Sequence, residues 1–220
     1  MEFRELAHDR RLQRPTLDPD ELTTEALNLR AEFDLRDIRC EGGDWSAVAG
    51  EGRLSHVWVT DGTLSESEFD PLELTDVRMS GIDLSNARWN TVTARRVEWL
   101  HCRAMGWQLS FAQITDVYLE GCRLDYSVIE VGNVKGLLVF SGCSFTDAII
   151  RGDVSRAVFT DCEFNGAEFD PTNAKGCDLR GSSLAGARGL LNLYGAWLDQ
   201  EQVTAVAPTL AAEAGLRVRV

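Results

Sequence analysis

The sequence predicts an all-β solenoid, a parallel β-helix of stacked coils with four five-residue repeats each, closed by a C-terminal helical cap. Three observations predict it. Every fifth residue from Leu54 through Leu74, Trp89, Leu109 and Ile129 to Val139 is apolar, eighteen consecutive positions in a chain that is 44% hydrophobic. Chance would give that run on the order of once in a million tries. A period of five matches neither the helix, at about 3.6, nor the strand, at about 2, and a short fixed self-similarity marks a solenoid. Second, Trp89, Ala94, Trp99 and Ala104 alternate large and small. A core of fixed width tolerates a bulky side chain where its neighbour shrinks, so these four form one layer, with four repeats to a turn. Third, Cys102, Cys122 and Cys162 share one phase of a twenty-residue ladder.

Each repeat reads as a short extended segment and a corner. Two before the apolar centre stands a small or aliphatic residue (Val57, Ser67, Val77, Ala87, Val97, Ala112, Val117), also inward. Just after the centre comes a hydroxyl (Ser55, Thr60, Ser65, Thr75, Ser85, Thr115), suited to a corner because it bonds nearby backbone. Stacked coils then satisfy one another's backbone groups as strands do. The inward core is Trp89, Ala94, Trp99, Ala104, Leu109, Leu124, Phe164 and Phe169. Cys143 and Phe145 come one place late and Phe164 restores the phase, which predicts a one-residue insertion between Val134 and Phe140, undone between Ile150 and Phe159.

Segments such as GIDLS (81–85), GCRLD (121–125), DCEFNGAEF (161–169) and GCDLRGSSLAGARGL (176–190) resemble the pentapeptide-repeat family, over roughly Ala31 to Leu198. The resemblance implies a right-handed quadrilateral β-helix, here of about eight coils. It also implies, from the gyrase-protecting members, mimicry of duplex DNA at a type II topoisomerase (DNA gyrase or topoisomerase IV), protection against gyrase poisons, and a homodimer made through the C-terminal segment.

The ends read differently. Residues 1–30 form a capping segment, with Asp18-Pro19-Asp20-Glu21 reading as the start of a short helix over the first coil. Residues 31–198 are the β-helix and 199–220 the cap. Asp199 is the expected N-cap with Gln202 as capping-box partner. Val203, Val206, Ala207, Leu210, Ala211 and Ala214 then follow helical spacing as a cap or dimer face, and Gly215 suits the stop. Pro208 predicts a kink or two short helices, and Leu216–Val220 alternates like an edge strand.

The chemistry of the chain excludes several classes. Formal charge −13 argues against direct binding to nucleic acid or an anionic membrane. The charged start Met1–Pro15 lacks a signal peptide's apolar core, and six cysteines without a CxxC pair fit a reducing compartment, so a cytoplasmic location is expected. The cysteines read as small inward filler before a disulfide or metal ladder. His8, His56 and His101 are scattered, and no HExxH, GxSxG or phosphate-binding glycine loop occurs. No catalytic, metal or cofactor-binding residue is assigned, and no cofactor.

Function then falls to the outside. Sorted at twenty-residue spacing, the walls mix signs (Arg53, Glu73, Arg95, Asp116, Lys135 on one) and give no continuous acidic stripe, so net charge supports DNA mimicry and pattern does not. Leu100, Met105, Phe111, Tyr118, Tyr126, Val128 and Val131 stand where earlier coils carry polar residues, which makes them a candidate partner surface unless the N-terminal segment covers them. Trp107 fills a slot meant for a small residue, and Trp58 lies on an outer wall. Two functions follow: a non-catalytic protein-interaction module, of the gyrase-binding kind, or a structural scaffolding rod with no topoisomerase role.

Overall fold

A computed structural model describes residues 2–217. An antiparallel hairpin, β1 (Phe3–Leu6) and β2 (Arg10–Gln13), comes first. An extended linker leads to a parallel β-solenoid of about seven turns. Its strands are β3 (Thr23–Thr24), β4 (Ala31–Glu41), β5 (Ala49–Thr63), β6 (Glu68–Asp83), β7 (Arg88–Leu100), β8 (Gln108–Glu120), β9 (Val128–Val134), β10 (Leu138–Ser141), β11 (Ile149–Asp153), β12 (Ala157–Thr160) and β13 (Glu168–Asn173). A 3-10 turn (Leu190–Asn192) and helix α1 (Gln200–Glu213) close the chain.

The register explains the period. Leu54 pairs with Leu74, Leu74 with Ala94, Ala94 with Ile114 and Ile114 with Val134, twenty residues to each turn. Val117 then pairs with Leu138 and Ile129 with Ile150, twenty-one apart, while Phe140 pairs with Phe159, nineteen apart. The extra residue therefore sits between Val134 and Leu138, and the phase returns between Gly152 and Ala157. One consequence corrects the sequence reading: Val139, the eighteenth residue of the apolar series, pairs with Tyr118 on the outside, because the insertion has already turned the chain by one place.

One corner recurs as a β-turn closed by an i to i+3 bond, as from Ser127 N–H to Leu124 O and Ala148 N–H to Phe145 O. Its third residue has positive φ: Ala47, Glu66, Asn86, Gly106, Tyr126, Asp147, Gly166 and Gly186. That is the type II geometry, which favours Gly or Asn and points any other side chain away from the coil.

The tube is filled. Trp89, Trp99 and Trp107 are buried with Ala94 and Ala104 among them, ring centroids 5.3–6.5 Å apart. Leu109, Leu124, Phe164 and Phe169 are buried likewise. Trp89 Nε1 donates to Ser67 Oγ at 2.9 Å, so the inward hydroxyl partners the indole above it.

Phe111 and Val131 correct the sequence reading: both face the interior, and Phe111 lies 6.4 Å from Trp99, ring to ring. Their register slips by one, since Trp89 pairs with Leu109 but Val92 with Phe111. This β-bulge swaps Phe111 in for Ala112, which is exposed. In the next coil the row continues with Gly152 at φ 91°, where a Cβ would run into the Val131 carbonyl.

The ends bring further corrections. Among the described residues the N-terminal segment holds no helix: Asp18-Pro19-Asp20-Glu21 is linker, and β1 and β2 lie along the outside of the coils, because alternate residues of the hairpin find partners there. Helix α1 is continuous through Pro208, the missing N–H falling on a largely exposed helix whose anchors are elsewhere. Leu216 and Arg217 form no strand, and 218–220 lie outside the described residues.

Candidate interaction surfaces

With the interior packed, chemistry on this chain belongs to its exterior. The six cysteines are free and buried. Cys102, Cys122, Cys143 and Cys162 form one inward row, each sulfur donating to the carbonyl two residues back, at 3.4–3.5 Å. Ser182 takes the next rung and donates to Phe159 O at 3.1 Å. The row is thus a set of small donors that satisfy backbone carbonyls. The Cys143 thiol and burial together push the Cys162 thiol up, and burial pushes Cys177 up to about 12. Among the described residues, no group of three or more His, Cys, Asp or Glu could hold a metal ion. His8 lies in the hairpin turn, while His56 and His101 sit at different corners.

The seven residues singled out as a partner surface divide three ways. Phe111 and Val131 are core, as described. Tyr118 is buried and Leu100 half-buried beneath the hairpin. Tyr126, Val128 and Met105 remain accessible, with Tyr126 57% exposed. Ile149, stacked on Val128 in the next coil and 36% exposed, joins them. Its place was hidden in the sequence by the one-residue insertion, which shifts its phase. Met105 occupies the same corner one coil earlier, beside Gly106.

On another wall, one outward residue from each coil forms a column: Arg39, Trp58, Arg78, Glu98, Tyr118, Val139, Val158, Asp178 and Trp197. Trp58 lies between the Arg39 and Arg78 guanidiniums, 5.3 and 5.2 Å from its ring. Glu98 is 0% exposed and carries Arg14 at 2.9 Å, Arg78 at 2.9 Å and Arg4 at 3.3 Å. Burial alone would raise its pKa, but hydrogen bonds from Arg14 and charge from Arg78 hold it below the usual carboxylate range. Asp178 follows the same logic, with Arg180 at 2.7 Å and Arg10 at 3.0 Å. Nothing in the five-residue period singled these out. The signal available was an outward row that turns from charged to apolar and back.

At the C-terminal end, Asp199 and Gln202 form the capping box, and Gln202 Nε2 also donates to Leu179 O and Ser182 O at 2.6 and 2.7 Å. Glu213 accepts from Gly189 N–H and Leu191 N–H, so the helix is fastened at both ends. Val206 is buried and Leu210 and Ala211 are half-buried, whereas Val203, Ala207 and Ala214 face out. Tyr194 and Trp197 nearby are 86% and 56% exposed.

Salt bridges join coil to coil across the outside (Arg53–Glu73, Arg88–Glu68, Arg151–Glu130), setting acidic residues against basic ones in adjacent coils. No helix among the described residues is long and apolar enough to cross a membrane.

Fold and exterior define a class: a solenoid repeat protein with a filled core and a helical C-terminal cap. No family model and no curated protein matches the chain. Among solved structures it is similar to QnrB1, a plasmid-mediated fluoroquinolone resistance protein, at 21% identity and TM-score 0.48, covering 86% of this chain and 99% of that one. It is also similar to HetL, a pentapeptide repeat protein involved in heterocyst differentiation regulation from the cyanobacterium Nostoc sp. strain PCC 7120, at 14% identity and TM-score 0.31, covering 76% and 87%.

Proposed function

We propose that this chain is a non-catalytic protein-interaction rod of the cytoplasm, which presents an acidic exterior to a basic partner and contacts it at the Tyr126 corner. Tyr126 itself carries the reading. Positive φ recurs at the corners of this solenoid, at Thr91, Arg96 and His101 among others, but the turn that Tyr126 occupies holds Gly, Asn or Asp in most other coils and an aromatic ring in none. Here the ring sits exposed beside Val128 and Ile149, an apolar group that a contact made outside the chain covers. The formal charge of −13 favours a cationic surface on the other side. The partner proposed is a type II topoisomerase, whose DNA-binding saddle is such a surface.

Exchanging Tyr126→Asn relieves the corner and removes the contact. The variant should fold with stability equal to the wild type or about 1 kcal/mol higher while losing its effect on the partner. Supercoiling by purified gyrase, with and without a quinolone-type poison, gives the readout. Neither inhibition nor rescue by micromolar wild-type protein would remove the topoisomerase, and an unchanged Tyr126→Asn variant would remove the corner.

Exposed Tyr194 and Trp197 in the last coil, with exposed Val203, Ala207 and Ala214 of α1, support a second copy docking at that end. Light scattering of wild type against Tyr194→Ser should show a dimer and a monomer. Equal masses would count against it.

A further inference from the structure

The hairpin is held to the coils by side chains alone. Among the described residues β1 and β2 bond to each other and not to the solenoid backbone. Beneath them the coils are already complete, Val117 pairing with Leu138 and Leu138 with Ala157. A two-stranded hairpin is marginal by itself, so its place depends on what its side chains meet. Alternate residues read the wall column in turn: Arg10 meets Asp178, Leu12 is buried against Val158, Val139 and Tyr118, and Arg14 meets Glu98. Arg4, from β1, lies over the Tyr118 ring at 3.8 Å and reaches Glu98 and Glu120.

We propose that the strip from Glu98 to Asp178 is a docking site for an extended Arg-x-apolar-x-Arg segment of a partner protein, and that the N-terminal hairpin occupies it in the partner's absence. The strip specifies that chemistry. Each carboxylate takes a hairpin arginine in addition to one from the coils, Arg14 beside Arg78 at Glu98 and Arg10 beside Arg180 at Asp178, and the apolar rungs between them suit an aliphatic side chain such as Leu12. The column also continues past the hairpin, at one end to Trp58, which the chain's own linker (residues 15–19) lines, and at the other to exposed Trp197 with Arg180 5.7 Å from its ring. A longer partner segment therefore finds a further contact at Trp197 that the N-terminal segment does not use, which is how it displaces a tethered competitor. The inference rests on the interaction-rod reading but uses a different wall from the Tyr126 corner, so the two are tested separately.

A fluorescent peptide with the sequence of residues 2–14 is the probe, titrated by anisotropy against full-length protein. In wild type the strip is occupied. In the full-length variant Arg10→Ser, Leu12→Ser, Arg14→Ser it is vacated, and the peptide should bind about tenfold or more tightly than to wild type, since apparent affinity scales with the open fraction. Adding Glu98→Gln should abolish that gain. Equal binding to wild type and vacated variant, or none to the variant, would overturn the proposal. Should the variant fail to fold, hydrogen exchange on wild type decides: amides of β1 and β2 should exchange about a hundredfold faster than those of β7 and β8. Equally slow exchange would mean a hairpin fixed in place, and the docking site would be withdrawn.

Discussion

At the scale of single residues, the core is governed by volume. Trp89, Trp99 and Trp107 fit in one narrow tube because Ala94 and Ala104 leave room. Trp99→Ala should cost about 3–5 kcal/mol and Ala94→Leu about 1–3 kcal/mol, both read from urea unfolding. Phe111 and Tyr126, both candidates for the partner surface in the sequence, now separate. Phe111→Ser should lower the unfolding midpoint sharply as a core truncation to a polar group, whereas Tyr126→Asn should not. The five-residue period exposed most of the inward set, Trp89 to Leu124 included. It failed at Phe111, Val131 and Val139, where a bulge or an inserted residue changes which side chain points in without changing composition.

At the scale of elements, the two ends differ in how they are fastened. Helix α1 is tied by Gln202, whose side chain serves the capping box and two carbonyls of the last coils. Gln202→Ala should cost about 2–3 kcal/mol, seen as loss of the helical circular-dichroism signal before the sheet signal on heating. The cap was legible because Asp199 and Gln202 stand at capping-box spacing, a local rule. The hairpin was not, because its place depends on Glu98 and Asp178, distant in sequence. Its hold is also pH-dependent. Burial pushes both carboxylates up, but the arginines facing them (Arg4, Arg14 and Arg78 at Glu98; Arg10 and Arg180 at Asp178) leave both pKa values below ordinary. A depressed folded pKa gives stability that is present above the unfolded value of about 4 and lost as pH falls through the folded value. Exchange at β1 and β2 should therefore rise below about pH 4 before the coils open. Simultaneous opening would contradict it.

At the scale of the whole molecule, the chain is a rod whose inside is spent on packing and whose outside is free for recognition. Inter-coil ion pairs help explain why a charge of −13 does not resolve into one acidic stripe: Glu68, Glu73 and Glu130 each face an arginine of an adjacent coil. In the function proposed, charge sets the sign of the partner, and the apolar exceptions, at the Tyr126 corner and the hairpin strip, set the place. Fold class was readable from periodicity because each coil repeats one physical problem. The surfaces were readable only in part, since exposure depends on which segment lies over which wall. The filled tube is the claim everything else requires, and tryptophan fluorescence tests it most directly. With Trp45, Trp58 and Trp197 replaced by Phe, only Trp89, Trp99 and Trp107 emit. The account predicts blue-shifted emission that acrylamide does not quench until the protein unfolds, and red-shifted, readily quenched emission from the native protein would contradict it.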